Sequence, residues 1–195
     1  LSSRISKDNS AVILEELNWS EEYVNSFSKV FIVACGTAYH AGLVGKYYIE
    51  RMARVPVEVD IASEFRYRQP IIDDNTLTIV VSQSGERIDT LAALKEAKRL
   101  GSKTLAVTNV VGSSIAREAD QVIYTWAGPE IAVASTKAYT TQLIVMFLLG
   151  AYMAGLRGTV APRRMKELLT MLRNIPAQIN ETLEDVEPIK VFAKK

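Results

Sequence analysis

The sequence predicts an α/β fold, a three-layer αβα sandwich around a five-stranded parallel, doubly wound sheet. Three observations carry this. Short apolar runs alternate with helical patterns along most of the chain. The runs are continuous and lack the period-2 alternation of half-exposed strands, as expected where helices cover both faces. Loops rich in Gly, Ser and Thr follow the runs, as they do where a parallel strand hands over to a helix.

Residues 1–28 contain Ser20-Glu21-Glu22, a capping hydroxyl and an acidic first turn, which predicts a helix before the first strand. Val30 to Ala34 reads as that strand. From Ala38 to Met52, the residues Leu43, Val44, Tyr47, Tyr48 and Met52 fall near one helical face. Val55 to Val59 is a short strand, with Pro56 suited to its start. Ala62 to Arg68 has mixed character and reads as a short helix or loop.

Leu77 to Val81 is the third strand and Arg87 to Leu100 its helix; Lys103 to Val107 and Ser114 to Ala119 repeat the unit. Gln121 to Tyr124 is the fifth run. Leu143 to Leu156 is apolar on nearly all sides, a buried helix shorter than the roughly 18 residues of a membrane span. Gly155, Gly158 and Pro162 break the chain before a more polar helix over Arg163 to Arg173. The tail after Pro176 is charged and amphipathic, either a linker or the start of another domain. The expected organisation is a helical or linker segment over 1–28, a binding domain over 29–160 and a C-terminal helical segment over 161–195.

Composition narrows the function. The chain has 195 residues, 48% of them hydrophobic, with 23 Lys and Arg against 22 Asp and Glu. A net charge of +1 provides no bulk attraction for nucleic acid or an anionic membrane, so anion selectivity must come from a local site. Cys35 and His40 are the single cysteine and histidine, which excludes a disulfide framework and leaves too few soft ligands for structural zinc. With no signal-peptide pattern at the start, these features predict a cytoplasmic location.

The most informative junction is Ser82-Gln83-Ser84-Gly85. It joins the apolar run Leu77 to Val81 to a helical pattern beginning at Ile88. Unpaired N–H groups, the positive end of a helix dipole and two hydroxyls converge there, which suits a phosphate. Two further loops leave strand ends: Cys35-Gly36-Thr37-Ala38, and Glu130 to Lys137. In an open parallel sheet, ligands bind beyond the carboxyl ends of strands where strand order reverses. The small and hydroxyl-bearing residues suit a phosphosugar. No GxxxxGK[ST] or GxGxxG run is present, and triphosphate chemistry finds no support.

Ala34-Cys35-Gly36-Thr37, Ile61 to Arg68 (IASEFRYR), Ser82 to Glu86 (SQSGE) and Val133 to Lys137 (VASTK) occur in this order. Together they resemble the first sugar isomerase (SIS) subdomain of the glutamine:fructose-6-phosphate aminotransferase family, from about Arg4 to the region of Pro162. SQSGE alone marks the wider phosphosugar-binding group; the other motifs narrow the likeness. The resemblance implies a flavodoxin-like sheet within an enzyme that makes glucosamine 6-phosphate and glutamate from fructose 6-phosphate and glutamine. That enzyme carries a glutaminase domain and a second SIS half, towards which residues 161–195 would lead; without that half part of the apolar Leu143 to Leu156 helix would be exposed, which predicts a homodimer or larger assembly.

Carried over by position, the resemblance implies that Ser82, Gln83 and Ser84 bind the phosphate with Thr37 nearby, and that Val133, Ala134 and Ser135 line the sugar. The ligand is then of the fructose 6-phosphate or glucosamine 6-phosphate type, with no cofactor and no metal. Two positions depart from the family: Ala38 stands where many members have serine, and Arg87 where they have threonine. Arg87 either pairs with phosphate or crowds it. The family's proton-transfer glutamate, ring-opening histidine and Schiff-base lysine match nothing here, so no catalytic residue is assigned, and Glu86, His40 and Lys137 receive no such role. A stand-alone phosphosugar sensor is the alternative; the nearly neutral N-terminus offers no basic DNA-recognition helix.

Simpler roles compete for individual residues. Ser84 suits a helix cap, as do Ser135 to Lys137. Cys35 reads as a buried small residue, His40 as structural, and Tyr47 and Tyr48 as core or interface packing. Glu64, Arg66 and Arg68 suit a salt-bridged segment.

Overall fold

A computed structural model describes residues 1–131 and 135–194. The chain divides into two compact units, one spanning Leu14–Val160 and the other combining Leu1–Ile13 with Ala161–Lys195.

The larger unit begins with α1 (Glu21–Asn25), capped as expected by Ser20, whose hydroxyl accepts the Tyr23 N–H at 3.1 Å. Five parallel strands follow: β1 (Lys29–Ala34), β2 (Val57–Ile61), β3 (Thr76–Ser82), β4 (Lys103–Thr108) and β5 (Gln121–Tyr124). Between them lie α2 (Thr37–Ala53), α3 (Ala62–Phe65), α4 (Ile88–Arg99) and α5 (Ser114–Glu118), and after them α6 (Lys137–Arg157). The strand order is β2-β1-β3-β4-β5. The chain moves outward from β1 to β2, then back across β1 to β3 and on to β5. The reversal therefore falls between β1 and β3, whose carboxyl ends are in register with Ala34 beside Val81.

Burial explains the absence of alternation in the runs: every residue of β3 and all but the first of β1 are buried. One sheet face packs Phe31, Val33 and Val80 against Phe65, Leu94 and Ile115. Phe31 and Phe65 meet edge to face at 5.5 Å. On α2, Gly42 lies so close to the sheet that a Cβ would come within 2.9 Å of Ile32 Cγ2. α2 and α6 are equally close: a Cβ on Gly45 would meet Met146 Sδ at 2.8 Å, and one on Gly150 would stand 3.2 Å from the Tyr48 main chain.

Two elements and one side chain of this unit differ from the sequence expectation. β2 starts at Val57, two residues later than expected, because the Glu50 carboxylate accepts the Val57 N–H and Pro56 contributes only its carbonyl, to Val30. The apolar helix is longer than Leu143 to Leu156. At 21 residues α6 is long and apolar enough to cross a membrane, although half of its most apolar window is buried within the fold. Tyr47 is 71% exposed and so is no core residue, whereas Tyr48 packs edge-on against Phe147.

The smaller unit holds α7 (Pro162–Glu184) and α8 (Glu187–Ala193). α7 runs past the expected end at Arg173 and continues through Pro176. Arg173 Nη2 donates to the Ile5 and Ser6 carbonyls at 3.1 Å, and Asn9 donates to the Thr170 hydroxyl.

Candidate phosphosugar-binding site

The three loops singled out in the sequence meet at the carboxyl edge of the sheet around a cavity of about 340 Å³. Cys35 to Ala38 come from the end of β1, Ser82 to Ser84 and Arg87 from the end of β3, and Glu130, Ser135 and Gln142 from the approach to and first turns of α6.

At the β1 end, Gly36 adopts φ +61° and caps α2. A Cβ there would touch nothing, so the constraint on this position is purely conformational. The turn exposes Thr37 at the head of α2 and buries Ala38. Cys35 is half-buried in the cavity wall, more accessible than expected. His40 is exposed, stacks edge-on against Tyr39 and does not line the cavity.

At the β3 end the loop is built by its own hydroxyls. Ser82 Oγ accepts the Gly85 N–H at 3.1 Å, and Ser84 Oγ accepts the Glu86 N–H at 3.2 Å. Ser84 therefore closes a local turn and is not the N-cap of α4; that position belongs to Arg87, which supplies no side-chain cap. Gly85 is fixed twice, by φ +65° and by Ser113, whose Oγ would lie 2.0 Å from an added Cβ. Its carbonyl accepts the Ile115 N–H, and the Gln83 carbonyl accepts that of Asn109, tying the loop to the next unit.

Glu86 is drawn away from the cavity. Its carboxylate accepts the Ser114 N–H at 2.8 Å, and hydrogen bonding to Ser114, with Arg117 nearby, holds it below the usual carboxylate range. Arg87, exposed, does line the cavity and adds a cation on its β3 side.

On the third side, Glu130 Oε2 accepts the N–H groups of Thr136 and Ala138, both at 3.1 Å, and so caps α6 from six residues away. The expected capping by Ser135 to Lys137 is replaced by this carboxylate. Ser135 is half-buried and lines the cavity. Val133 and Ala134 lie outside the described residues.

Of the expected site residues, the cavity thus unites Thr37, Ser82, Gln83, Ser84, Ser135 and Arg87. Sequence reasoning missed Gln142 and the capping role of Glu130. A signal for the first existed: Gln142 is a lone amide at the edge of the apolar run that begins at Leu143. Of Glu64, Arg66 and Arg68, Arg68 is salt-bridged, to Glu58 and Asp60, whereas Arg66 donates to the Tyr67 hydroxyl.

Comparison with known proteins agrees with the fold. The SIS domain model matches residues 24–151. The chain is 56% identical over all 195 residues to a glutamine–fructose-6-phosphate aminotransferase [isomerizing] of Caldanaerobacter subterraneus subsp. tengcongensis, of which it spans 32%. It is 59% identical over 93% of its length to the protein of the same name from Clostridium tetani, spanning 30% of it. Among solved structures, the C-terminal domain of glucosamine-fructose-6-phosphate aminotransferase from Francisella tularensis superposes with a TM-score of 0.85 at 36% identity, covering 94% of this chain and 51% of that one. A putative phosphosugar isomerase from Silicibacter pomeroyi gives 0.63 at 32% identity, over 75% and 46%. The chain spans about a third of its curated relatives, and with two-thirds of its residues matched by the model it belongs to the SIS-domain family.

Proposed function

We propose that residues 29–160 bind a phosphosugar of the fructose 6-phosphate or glucosamine 6-phosphate type in this cavity, as one SIS half of a glutamine:fructose-6-phosphate aminotransferase. The observation that carries the reading is the convergence, at the strand-order reversal, of the β1 and β3 loops with the start of α6. In this reading Ser82, Gln83, Ser84 and Thr37 hold the phosphate with the first turn of α4, and Arg87 adds a charge-assisted contact. Ser135, with Val133 and Ala134, borders the sugar. The names of the matched relatives favour the enzyme over a stand-alone sensor.

No residue of this chain is assigned to proton transfer, ring opening or Schiff-base formation, so the chain alone binds without turnover. The glutaminase domain and second SIS half belong to the longer protein, a cytoplasmic homodimer in this reading. Calorimetric titration with fructose 6-phosphate tests it. Replacing both Ser82 and Ser84 by Ala should weaken binding several-fold to a hundred-fold, about 1 to 3 kcal/mol for lost hydrogen bonds to a charged group. Unchanged affinity would move the site elsewhere.

A further inference from the structure

Gln142 is 2% exposed and stands in the wall of the cavity, on α6, yet its Oε1 is buried with no hydrogen-bond partner. Buried side-chain amides are nearly always satisfied, and one left open beside a cavity has a cost that packing does not explain. Three other polar groups of the cavity already have internal work: Ser82 and Ser84 hold the β3 loop, and Glu130 caps α6. Resting on the phosphosugar reading above, we propose that the Gln142 amide reads the sugar end of the ligand, hydrogen-bonding a hydroxyl or carbonyl oxygen.

The placement favours the sugar over the phosphate. The β3 side of the cavity carries the cation Arg87 and the N-terminus of α4, whereas Gln142 shares the α6 side with Ser135 and the carboxylate of Glu130. A neutral amide that both donates and accepts suits a polyol, and beside a carboxylate it ill suits a dianion. Rotation about the terminal χ torsion, which is broad, presents either the oxygen or the nitrogen to the cavity. The expected role is discrimination: a site built to hydrogen-bond a hydroxyl rejects ligands that lack it.

The test pairs two probes, fructose 6-phosphate and inorganic phosphate, on the 195-residue chain and on Gln142→Met, which keeps length and helix preference without the polar atoms. The expected result is at least a ten-fold loss for fructose 6-phosphate, no change for phosphate, and a melting temperature equal to or above that of the wild type. Equal loss for both probes, no loss for either, or a lowered melting temperature would overturn the assignment. On the unaltered chain, the Gln142 side-chain amide resonances should shift with fructose 6-phosphate and stay in place with phosphate. If fructose 6-phosphate binds without moving them, this inference fails and the phosphosugar reading stands; if the chain binds no fructose 6-phosphate, both fail.

Discussion

Gly85 shows how two constraints concentrate on one residue of the site. Its left-handed backbone excludes most side chains, and Ser113 occupies the space a Cβ would need. Gly85→Ala should therefore cost about 2 to 4 kcal/mol, combining αL strain with overpacking, and chemical denaturation would measure it. Arg87 predicts two effects of opposite sign. A cation at the start of α4 opposes the helix dipole, so Arg87→Thr should raise stability by about 0.3 to 1 kcal/mol. The same change should weaken fructose 6-phosphate binding several-fold at low salt, with the difference shrinking as salt is added. Tighter binding by the threonine variant would show that arginine crowds the phosphate. The placement of Thr37, Ser82 and Ser84 at the cavity was legible in the sequence because it depends on local position, at the end of a strand. The place of Glu130 was not, because it depends on how α6 returns across the sheet edge; for Gln142 the lone amide beside an apolar run marked the residue but not what it would face.

The elements were legible for a related reason. Strands covered on both faces draw mainly on apolar residues, and β1, β3 and β4 are buried along almost their whole length, with a few buried Thr and Ser among the apolar side chains. Boundaries failed where a side chain from elsewhere intervenes, as Glu50 does at Val57 and Glu130 at the start of α6. Two elements provide tests. On α6, Gly150→Val should destabilise by about 1 to 3 kcal/mol, because the added atoms meet the Tyr48 and Ile49 main chain of α2, which cannot move aside. At the other end of the sheet, Asp120 Oδ2 accepts the Thr104 N–H at 2.9 Å and the Thr104 hydroxyl at 2.8 Å, locking β5 to β4. Burial pushes the Asp120 carboxyl up, but these bonds and Lys98 outweigh it and hold it below its ordinary value. A depressed folded pKa means stabilisation that is complete above the unfolded carboxylate value, about 3.9, and fades as pH falls through the lower folded value. Asp120→Ala should thus cost about 1 to 3 kcal/mol at pH 7, and its deficit relative to the wild type should narrow at pH 3.

At the scale of the molecule, the smaller unit leaves an apolar stripe uncovered. On α7, Met171, Ile175, Ile179 and Leu183 are exposed at helical spacing, and on α8 Ile189, Val191 and Phe192 are exposed. Such a stripe promotes association, and sedimentation of the chain should show concentration-dependent dimers or larger species. A clean monomer at high concentration would contradict this. The sequence alone carried the five-stranded parallel class and the meeting of three loops, since strand polarity and right-handed crossovers leave few alternatives. It did not carry α7 past Arg173, because Pro176 reads locally as a stop. The central claim is that the cavity between β1, β3 and α6 recognises an esterified sugar through its phosphate. Calorimetry comparing fructose 6-phosphate with fructose tests it most directly: saturable one-site binding of the phosphate ester, lost in the Ser82→Ala/Ser84→Ala double variant, and no binding of fructose is the result predicted. Equal affinity for both sugars, or no binding of either, would contradict it.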